Sequence, residues 1–474
     1  MSRPRHTLWA GIHCPGLPLT AAWTLAPGAG PVAVHDPPHG QARIVQASQA
    51  AWRGGVRPGQ SLTQALAVLP ELQSRRRDQR AEATALESMA LAAYAESHQV
   101  VLAPPATVIL EVGGSRRLRG GITPLLERLA ERLEQQGFDT RTGVAPNPAA
   151  ARLLARLDRQ ARTPEALRRT LVELPLERLE LPENQIRALT GCGLARVGEL
   201  LERPAAERAR RFGKATNDYL EQILGQRDTP LANWQPPEHF SLRLELPTAT
   251  TSSEALLFVF RRALIQLEQW LSVRDQALTR LRFKLEHEED AGPVHASVAL
   301  ARPGFDADRL LDLIRLKLDR IQLRAPVAAV ALRADSTVEH RPPQADLFSG
   351  HNRGDAWPAL LDRLSARLGD DGLASLAPCP DHRPEKAWTW VVPGTTRPGQ
   401  DARPRPSWLL AHPHPCQRAR LQLEDGPERI EAGWWDGKDC RRDYWTARDP
   451  DGRKLWVFRE YKPRDGWFIH GVFG

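Results

Sequence analysis

The pattern of residues 236–337 restricts the fold more than any other part of the chain. Apolar residues alternate, then recur at helical spacing, which predicts strands at 239–247, 278–286, 294–300 and 327–333 and helices at 253–272 and 306–321. Alternation is typical of half-buried strands, and a period of about 3.6 residues is typical of amphipathic helices. The order β-α-β-β-α-β predicts an α+β domain. Leu281, Phe283 and Leu285 then face inward.

Residues 1–157 predict another α+β arrangement. The predicted strands are 8–12, 32–34, 100–102, 108–112 and 140–145, and the predicted helices are 62–69, 81–97, 123–136 and 147–157. Ser61 is suited to cap the first of these helices. The order fits a mixed sheet with helices on one face.

Residues 165–235 predict a third, helical module. Residues 186–194 form a helix and a turn containing Gly191 and Gly193, and a second helix begins beyond Arg196. Such a turn can present backbone amides to phosphate without reading base sequence. A compact helix pair with solvated arginines explains the pattern equally well.

A proline-bounded segment, 341–350, separates these modules from a tail rich in Pro and Trp. Gln344, Asp346, Leu347 and Phe348 lie inside it. Two bulky apolar residues in a polar segment either fold back onto a domain or serve as anchors in a partner's pocket.

The tail predicts a helix at 355–368, a Pro-rich connector through 426 and a small β region at 427–474. Predicted strands at 428–435, 442–448, 454–459 and 466–472 are separated by Asp-Gly turns. Exposed aromatic rings mark interaction surfaces. The predicted partner-binding residues are Trp434, Trp435, Tyr444, Trp467 and Phe468. The Cys and His residues of the tail (Cys379, His382, His412, His414 and Cys416) have no common zinc spacing.

Composition limits the class of protein. The 474 residues include 65 Lys and Arg and 57 Asp and Glu, which gives a net charge of +8 and a pI near 9.6. The length fits about three to five modules, and the charge favours an anionic partner such as nucleic acid. Five widely spaced cysteines favour a reducing cytoplasm over disulfides. No signal peptide or membrane-spanning run is predicted.

Three motifs resemble the palm and fingers of the Y-family translesion DNA polymerases. They are Gly55-Val56-Arg57-Pro58-Gly59, then Leu110-Glu111-Val112-Gly113-Gly114-Ser115 with Leu118-Arg119-Gly120-Gly121, then Gly143-Val144-Ala145-Pro146-Asn147. They occur in the family's order and at similar spacing. The resemblance implies a palm and fingers domain at 1–164, a helix-hairpin-helix thumb at 165–235 and a little-finger domain at 236–337.

The same resemblance locates the positions of the family's metal-binding carboxylates. His13 and Pro15 occupy the two Asp positions after the first strand, and Ala106 and Thr107 occupy the Asp-Glu positions before a later strand. Two-metal phosphoryl transfer needs converging carboxylates. The chain is therefore expected to have no catalytic residues, no metal site, no cofactor and no enzyme activity. The alternative is an active polymerase that recruits other carboxylates, such as Glu111.

The resemblance further implies that thumb and little finger contact DNA. The predicted DNA-binding residues are Gly191, Gly193 and Arg196 in the thumb and Arg280, Arg282 and Lys284 along one little-finger strand. A row of cations suits a phosphate backbone. The alternative is an ordinary solvated face beside acidic Glu286 and Glu288.

Residues 344–348 resemble the motif by which bacterial polymerases and repair factors bind the sliding clamp, so 338–350 is predicted to be a clamp-binding linker. Residues 427–437, Asp443-Tyr444 and 467–473 resemble the C-terminal region of the non-catalytic subunit of the bacterial inducible mutagenesis complex. That resemblance implies an adaptor in SOS-induced, error-prone translesion synthesis. The adaptor would act in the cytoplasm at the nucleoid, with 351–426 as connector and 427–474 as partner-binding region.

The partners implied are primer-template DNA, the sliding clamp, an ImuA-type RecA-like protein and a DnaE-type error-prone polymerase. A clamp- or partner-binding protein without DNA affinity is the remaining alternative.

Overall fold

The structure is a computed structural model. It describes residues 7–23, 30–36, 42–114, 120–288, 292–340, 356–369, 372–393, 395, 404–462 and 465–474. The chain divides into two compact units, residues 1–353 and 354–474. No helix of the described residues is long and apolar enough to cross a membrane.

The first 157 residues form two sheets with their helices. The elements in chain order are β1 (Trp9–His13), α1 (Leu17–Ala22), β2 (Val32–Asp36), β3 (Arg43–Ala47), α2 (Gln49–Arg53), α3 (Leu62–Val68), β4 (Gln73–Arg76), α4 (Gln79–Tyr94), β5 (Val100–Ala103), β6 (Thr107–Glu111), α5 (Ile122–Gln135), β7 (Arg141–Ala145) and α6 (Pro148–Leu157). Ser61 caps α3 in a capping box with Gln64, as predicted.

The palm sheet has the order β5-β6-β1-β7, and its neighbouring strands are all antiparallel. The prediction of one mixed sheet is wrong, because β2 belongs to a separate sheet of order β3-β2-β4. The sequence did not indicate β3 and β4. The residues of β4 are all polar (Gln73, Ser74, Arg75 and Arg76), so that strand shows no apolar alternation.

The prediction of helices on only one face of the palm sheet is also wrong. Helices α4 and α5 pack on the face that carries Ala10, Ile12 and Val108. On the opposite face, Gly11 and Gly143 are cross-strand partners, and a Cβ on either would overlap the backbone of α6. The glycine pair therefore lets α6 lie directly on the sheet, and both faces are covered.

Residues 164–223 form a compact helical module. Its helices are α7 (Pro164–Val172), α8 (Glu183–Gly191), α9 (Val197–Leu201), α10 (Ala205–Phe212) and α11 (Lys214–Ile223), with a 3-10 turn at Leu176–Arg178. Asn147, which caps α6, also donates from Nδ2 to the carbonyl of Ile223 over 3.1 Å. This side chain links the palm to the last helix of the module.

The predicted β-α-β-β-α-β order of the little finger is confirmed. Its elements are β8 (Ser241–Thr250), α12 (Ser253–Val273), β9 (Gln276–His287), β10 (Val294–Gly304), α13 (Ala307–Leu318) and β11 (Val327–Glu339). The antiparallel sheet has the order β10-β9-β11-β8. Leu281, Phe283 and Leu285 are buried as predicted.

The little finger packs on the palm through α12, which contacts α4. The contact contains buried polar pairs: Ser88 donates to Gln266 over 2.9 Å, and the Gln136 amide donates to Gln269 over 3.0 Å. Buried hydrogen bonds need their partners in place, so these pairs fix α12 against α4 and against the end of α5.

The C-terminal unit contains α14 (Ala356–Leu368), β12 (Ser375–Pro378), β13 (Trp388–Val391), β14 (Trp408–Pro415), β15 (Gln422–Ala432), β16 (Cys440–Arg448), β17 (Lys454–Lys462) and β18 (Gly466–Val472). Its main sheet has the order β14-β18-β17-β16-β15.

The prediction that 351–426 is only a helix and a Pro-rich connector is wrong. Strand β14 is the edge of the main sheet, and β15 begins at Gln422. Strands β12 and β13 pair with each other, and the loop between them is attached to the main sheet by Arg383, which bonds Asp436 over 2.9 Å. Prolines are tolerated at strand edges, which explains why a Pro-rich sequence contains strands.

Candidate active-site position and nucleic-acid interface

The positions that correspond to the polymerase carboxylates do converge. His13 and Thr107 are cross-strand partners, with Nδ1 and Oγ1 3.0 Å apart, and the next amide, Cys14, donates to Ala106 over 2.9 Å. The carbonyl of Pro15 accepts from Gln46 over 2.9 Å. The residues predicted for these positions lie together, and their side chains supply one hydroxyl and one imidazole.

The surroundings of His13 are cationic. Burial, with a smaller contribution from the nearby Arg156, lowers the pKa of His13 to about 4. Glu180, the acid near this corner, pairs with Arg152 and Arg156, each over 2.9 Å. Burial raises the pKa of Cys14 to about 12, so its thiol stays protonated. A neutral imidazole among arginines does not attract a divalent cation.

Glu111 lies at the other end of the same strand. It pairs with Trp9, whereas Thr107 pairs with His13. The four-residue separation corresponds to about 13 Å along a strand. Its carboxylate accepts the Gly114 amide over 3.1 Å. Glu111 therefore cannot share a metal with residues at the His13 corner. Among the described residues, no cluster of three or more His, Cys, Asp or Glu could hold a metal, the Cys and His residues of the tail included.

The thumb turn has its amides engaged internally. Gly193 adopts a φ of +78° and donates to Thr190 over 2.9 Å, and Cys192 donates to Leu189 over 3.1 Å. The Ala195 amide donates to the Glu199 carboxylate over 2.8 Å. Gly191 and Gly193 face open space, and Arg196 is exposed. Phosphate contact in this arrangement would come from exposed side chains.

The little-finger sheet has one face without a helix on it, here called the open face. Arg280, Arg282 and Lys284 lie on it in a row along β9. The strand register places two further cations, which were not predicted, on the same face: Arg243 of β8 and Arg333 of β11. Strand alternation on β8 and β11 would have identified both.

Acids neutralise part of the open face. Arg282 pairs with Asp335 over 3.1 Å, and Lys284 pairs with Glu286 over 3.0 Å. Burial would raise the pKa of Glu286, but hydrogen bonds from Lys284 and Arg243 lower it. No ion pair with Arg280 or Arg333 forms among the described residues. A positive surface remains.

The predicted partner-binding residues differ in exposure and fall into three groups. Trp434 and Trp435 are 78% and 57% exposed. The assignment of Tyr444 is wrong, because it is 1% exposed and its hydroxyl lies 2.9 Å from His470 Nδ1 in the core. Trp467 and Phe468 are half-buried, packing on Trp445 and Phe458.

Two further exposed rings lie outside the predicted set. Trp388 and Trp390, on β13, are 48% and 63% exposed and lie edge to face at 5.5 Å. Alternation within 388–391 would have placed both on one face. The predicted clamp-binding residues, Gln344, Asp346, Leu347 and Phe348, lie outside the described residues.

Comparisons with known proteins agree with the geometry of the palm. Residues 28–156 match the model of the impB/mucB/samB family. The chain is 29% identical over 458 residues to Protein ImuB from two strains of Caulobacter vibrioides, which covers 89% of this chain and all of the relative. The chain is ImuB-like. It is thus a Y-family polymerase-like protein with an additional C-terminal β region.

Solved structures with a similar fold include a DinB crystal structure from Sulfolobus solfataricus and an insertion ternary complex of Dbh DNA polymerase. Each is 17% identical, with a TM-score of 0.41, and the match covers 70% of this chain and all of that chain.

Proposed function

We propose that this ImuB-like chain is a catalytically inactive polymerase homologue that acts as an adaptor in SOS-induced, error-prone translesion DNA synthesis. The observation that carries the proposal is the His13–Thr107 pair, which occupies the place of the metal-binding carboxylates with a hydroxyl and a neutral imidazole. Two-metal catalysis needs hard oxygen ligands with negative charge. Other proteins must then perform synthesis.

The adaptor holds DNA and partners on separate surfaces. The open face of the little finger, with Arg196 and the thumb, would contact the primer-template backbone. The 344–348 segment would bind the sliding clamp, as its sequence suggests. The exposed Trp434 and Trp435, together with Trp388 and Trp390, would contact an ImuA-type RecA-like protein or a DnaE-type polymerase at the nucleoid.

The test is primer extension by the purified full chain on undamaged and lesion-bearing templates, with Mg²⁺ or Mn²⁺. We expect DNA binding that weakens with salt and no added nucleotide. A catalytic Y-family polymerase assayed in parallel shows that the templates are competent. Extension that is lost in Glu111→Ala but kept in His13→Ala would replace the adaptor by a polymerase with rearranged ligands. Absence of DNA binding would leave only the clamp and partner functions.

A further inference from the structure

A cavity of about 280 Å³ lies between the palm and the little finger. Helices α1 and α4 form its palm side, and β8 and α12 form its little-finger side. A groove that shares Arg76, Asp78 and Arg80 with it continues along β4 and the start of α4. Helix α4 packs on the face of the palm sheet that carries Ala10 and Ile12, whereas the face covered by α6 carries His13. The cavity is therefore separate from the former catalytic corner.

Arg262 of α12 lines this cavity and makes no hydrogen bond or ion pair with the described residues. Its Nε is buried and makes no hydrogen bond. The guanidinium lies 5.8 Å from the ring of Phe138 and close to Gly137, where an added Cβ would be 3.2 Å from Cζ. Burial lowers the pKa of Arg262 to about 10. A guanidinium nitrogen that is withdrawn from water without an acceptor is costly, so this position favours an anion supplied from outside.

The acids on the cavity wall are already engaged. Asp78 accepts the amides of Arg80 and Ala81 at the start of α4, over 2.8 Å and 3.1 Å. Glu245 pairs with Arg243 over 2.7 Å. Two more wall cations, Arg76 and Arg80, have no acidic partner within the described part of the chain. The wall therefore presents a net positive charge to a ligand.

We propose that this cavity binds a small phosphate-bearing anion, pyrophosphate or the triphosphate of a nucleotide, through Arg262, Arg76 and Arg80. Guanidinium groups match phosphate oxygens with paired hydrogen bonds. Thr84, Ser88 and Gln266 add polar groups to the wall. The aromatic ring on the wall, Phe138, is only 3% exposed, so the site recognises the phosphate groups and leaves the base without a stacking surface. A bound anion would join the palm to the little finger.

The test is thermal unfolding and isothermal titration of the full chain with pyrophosphate or dATP, against sodium chloride at matched ionic strength. The variants are Arg262→Met and, as the matched control, Arg261→Met, since Arg261 is exposed on the same helix and lies outside the cavity. We expect both anions to raise the Tm of the wild type and of Arg261→Met. Arg262→Met should bind at least about tenfold more weakly, with a ligand-free Tm equal to or above that of the wild type.

The two anions should bind within about threefold of each other, because only phosphate is shared between them. The proposal is overturned if Arg262→Met keeps the full shift, if chloride reproduces it, or if dATP binds about tenfold more tightly than pyrophosphate, which would indicate a base-reading site. Should Arg262→Met fail to fold, the exposed pair Arg76→Ser with Arg80→Ser must weaken binding instead.

Discussion

The palm sheet and the little-finger sheet are both four-stranded and antiparallel, but they are covered differently. Helices pack on both faces of the palm sheet, and α6 lies directly on the Gly11–Gly143 pair. Helices α12 and α13 cover one face of the little-finger sheet, and the open face carries five cations. The two sheets have the same strand arrangement, but only the little-finger sheet exposes one of its faces to solvent.

This difference explains which charges each sheet keeps. At the His13 corner of the palm, burial favours the neutral imidazole, and the acid nearby is held by arginines. On the open face, Arg280 and Arg333 form no ion pair with the described residues and are available to a polyanion. The palm sheet therefore buries its residues between helices, whereas the little-finger sheet presents a positive surface to solvent.

The largest effect should come from the covered face of the palm. Gly143→Ala should reduce the free energy of unfolding by about 3 kcal/mol, because the new Cβ meets the backbone of α6 and the helix must move. Chemical denaturation measures it. Gly304→Ala is the control, since a Cβ there meets only Arg302 O at 4.0 Å. Equal losses in both variants would show that α6 does not depend on the glycine pair.

The sequence predicted the fold best where one face of an element is exposed. In the little finger, alternation and helical spacing identified every element, because each has one apolar and one polar side. In the palm, strand 8–12 was found as an apolar run, but such a run does not show that helices cover both of its sides. Strand β4 was missed because it is polar throughout.

The candidate sites follow the same rule. Motif spacing placed His13 and Thr107 correctly as neighbours, since the resemblance supplies the register. Tyr444 was misassigned because composition gives the number of aromatic rings and not their burial. The burial of Tyr444 comes from packing against Trp456, Phe458 and His470 of β17 and β18. The cavity at Arg262 was not predictable, because helices distant in sequence form it.

The next effect concerns the open face. Replacing Arg280, Arg282 and Lys284 with Gln should weaken DNA binding about tenfold or more and reduce the salt slope of log Kd by about 2 to 3, because each lost phosphate contact releases one fewer counterion. Fluorescence anisotropy across a salt series measures both quantities.

The matched control loses the same number of positive charges on the side of the sheet that the helices cover. In it, the exposed residues Arg315, Arg320 and Arg324 are replaced by Gln. Its salt slope should stay close to that of the wild type, and both triple variants should keep their unfolding free energy within about 1 kcal/mol. Equal weakening in the two variants would mean that net charge, and not the open face, determines DNA affinity.

The smallest effect tests the neutral His13. Its pKa is lowered from 6.5 to about 4 by burial. Between about pH 6.5 and pH 4, His13 is therefore protonated in the unfolded chain and neutral in the folded chain. The free energy of unfolding decreases as the pH falls through this range. We expect His13→Asn, which retains a polar group near Thr107, to remove about 1 kcal/mol of the stability difference between pH 7 and pH 5. Urea unfolding at both pH values measures it.

His470, whose pKa burial also lowers to about 4, is unchanged in the variant and cancels in the comparison. His239→Asn, at an exposed position, should leave the difference as in the wild type. If His13→Asn keeps the wild-type difference in unfolding free energy between pH 7 and pH 5, solvent reaches the His13 corner. The palm sheet would then be less enclosed than the comparison with the little-finger sheet implies.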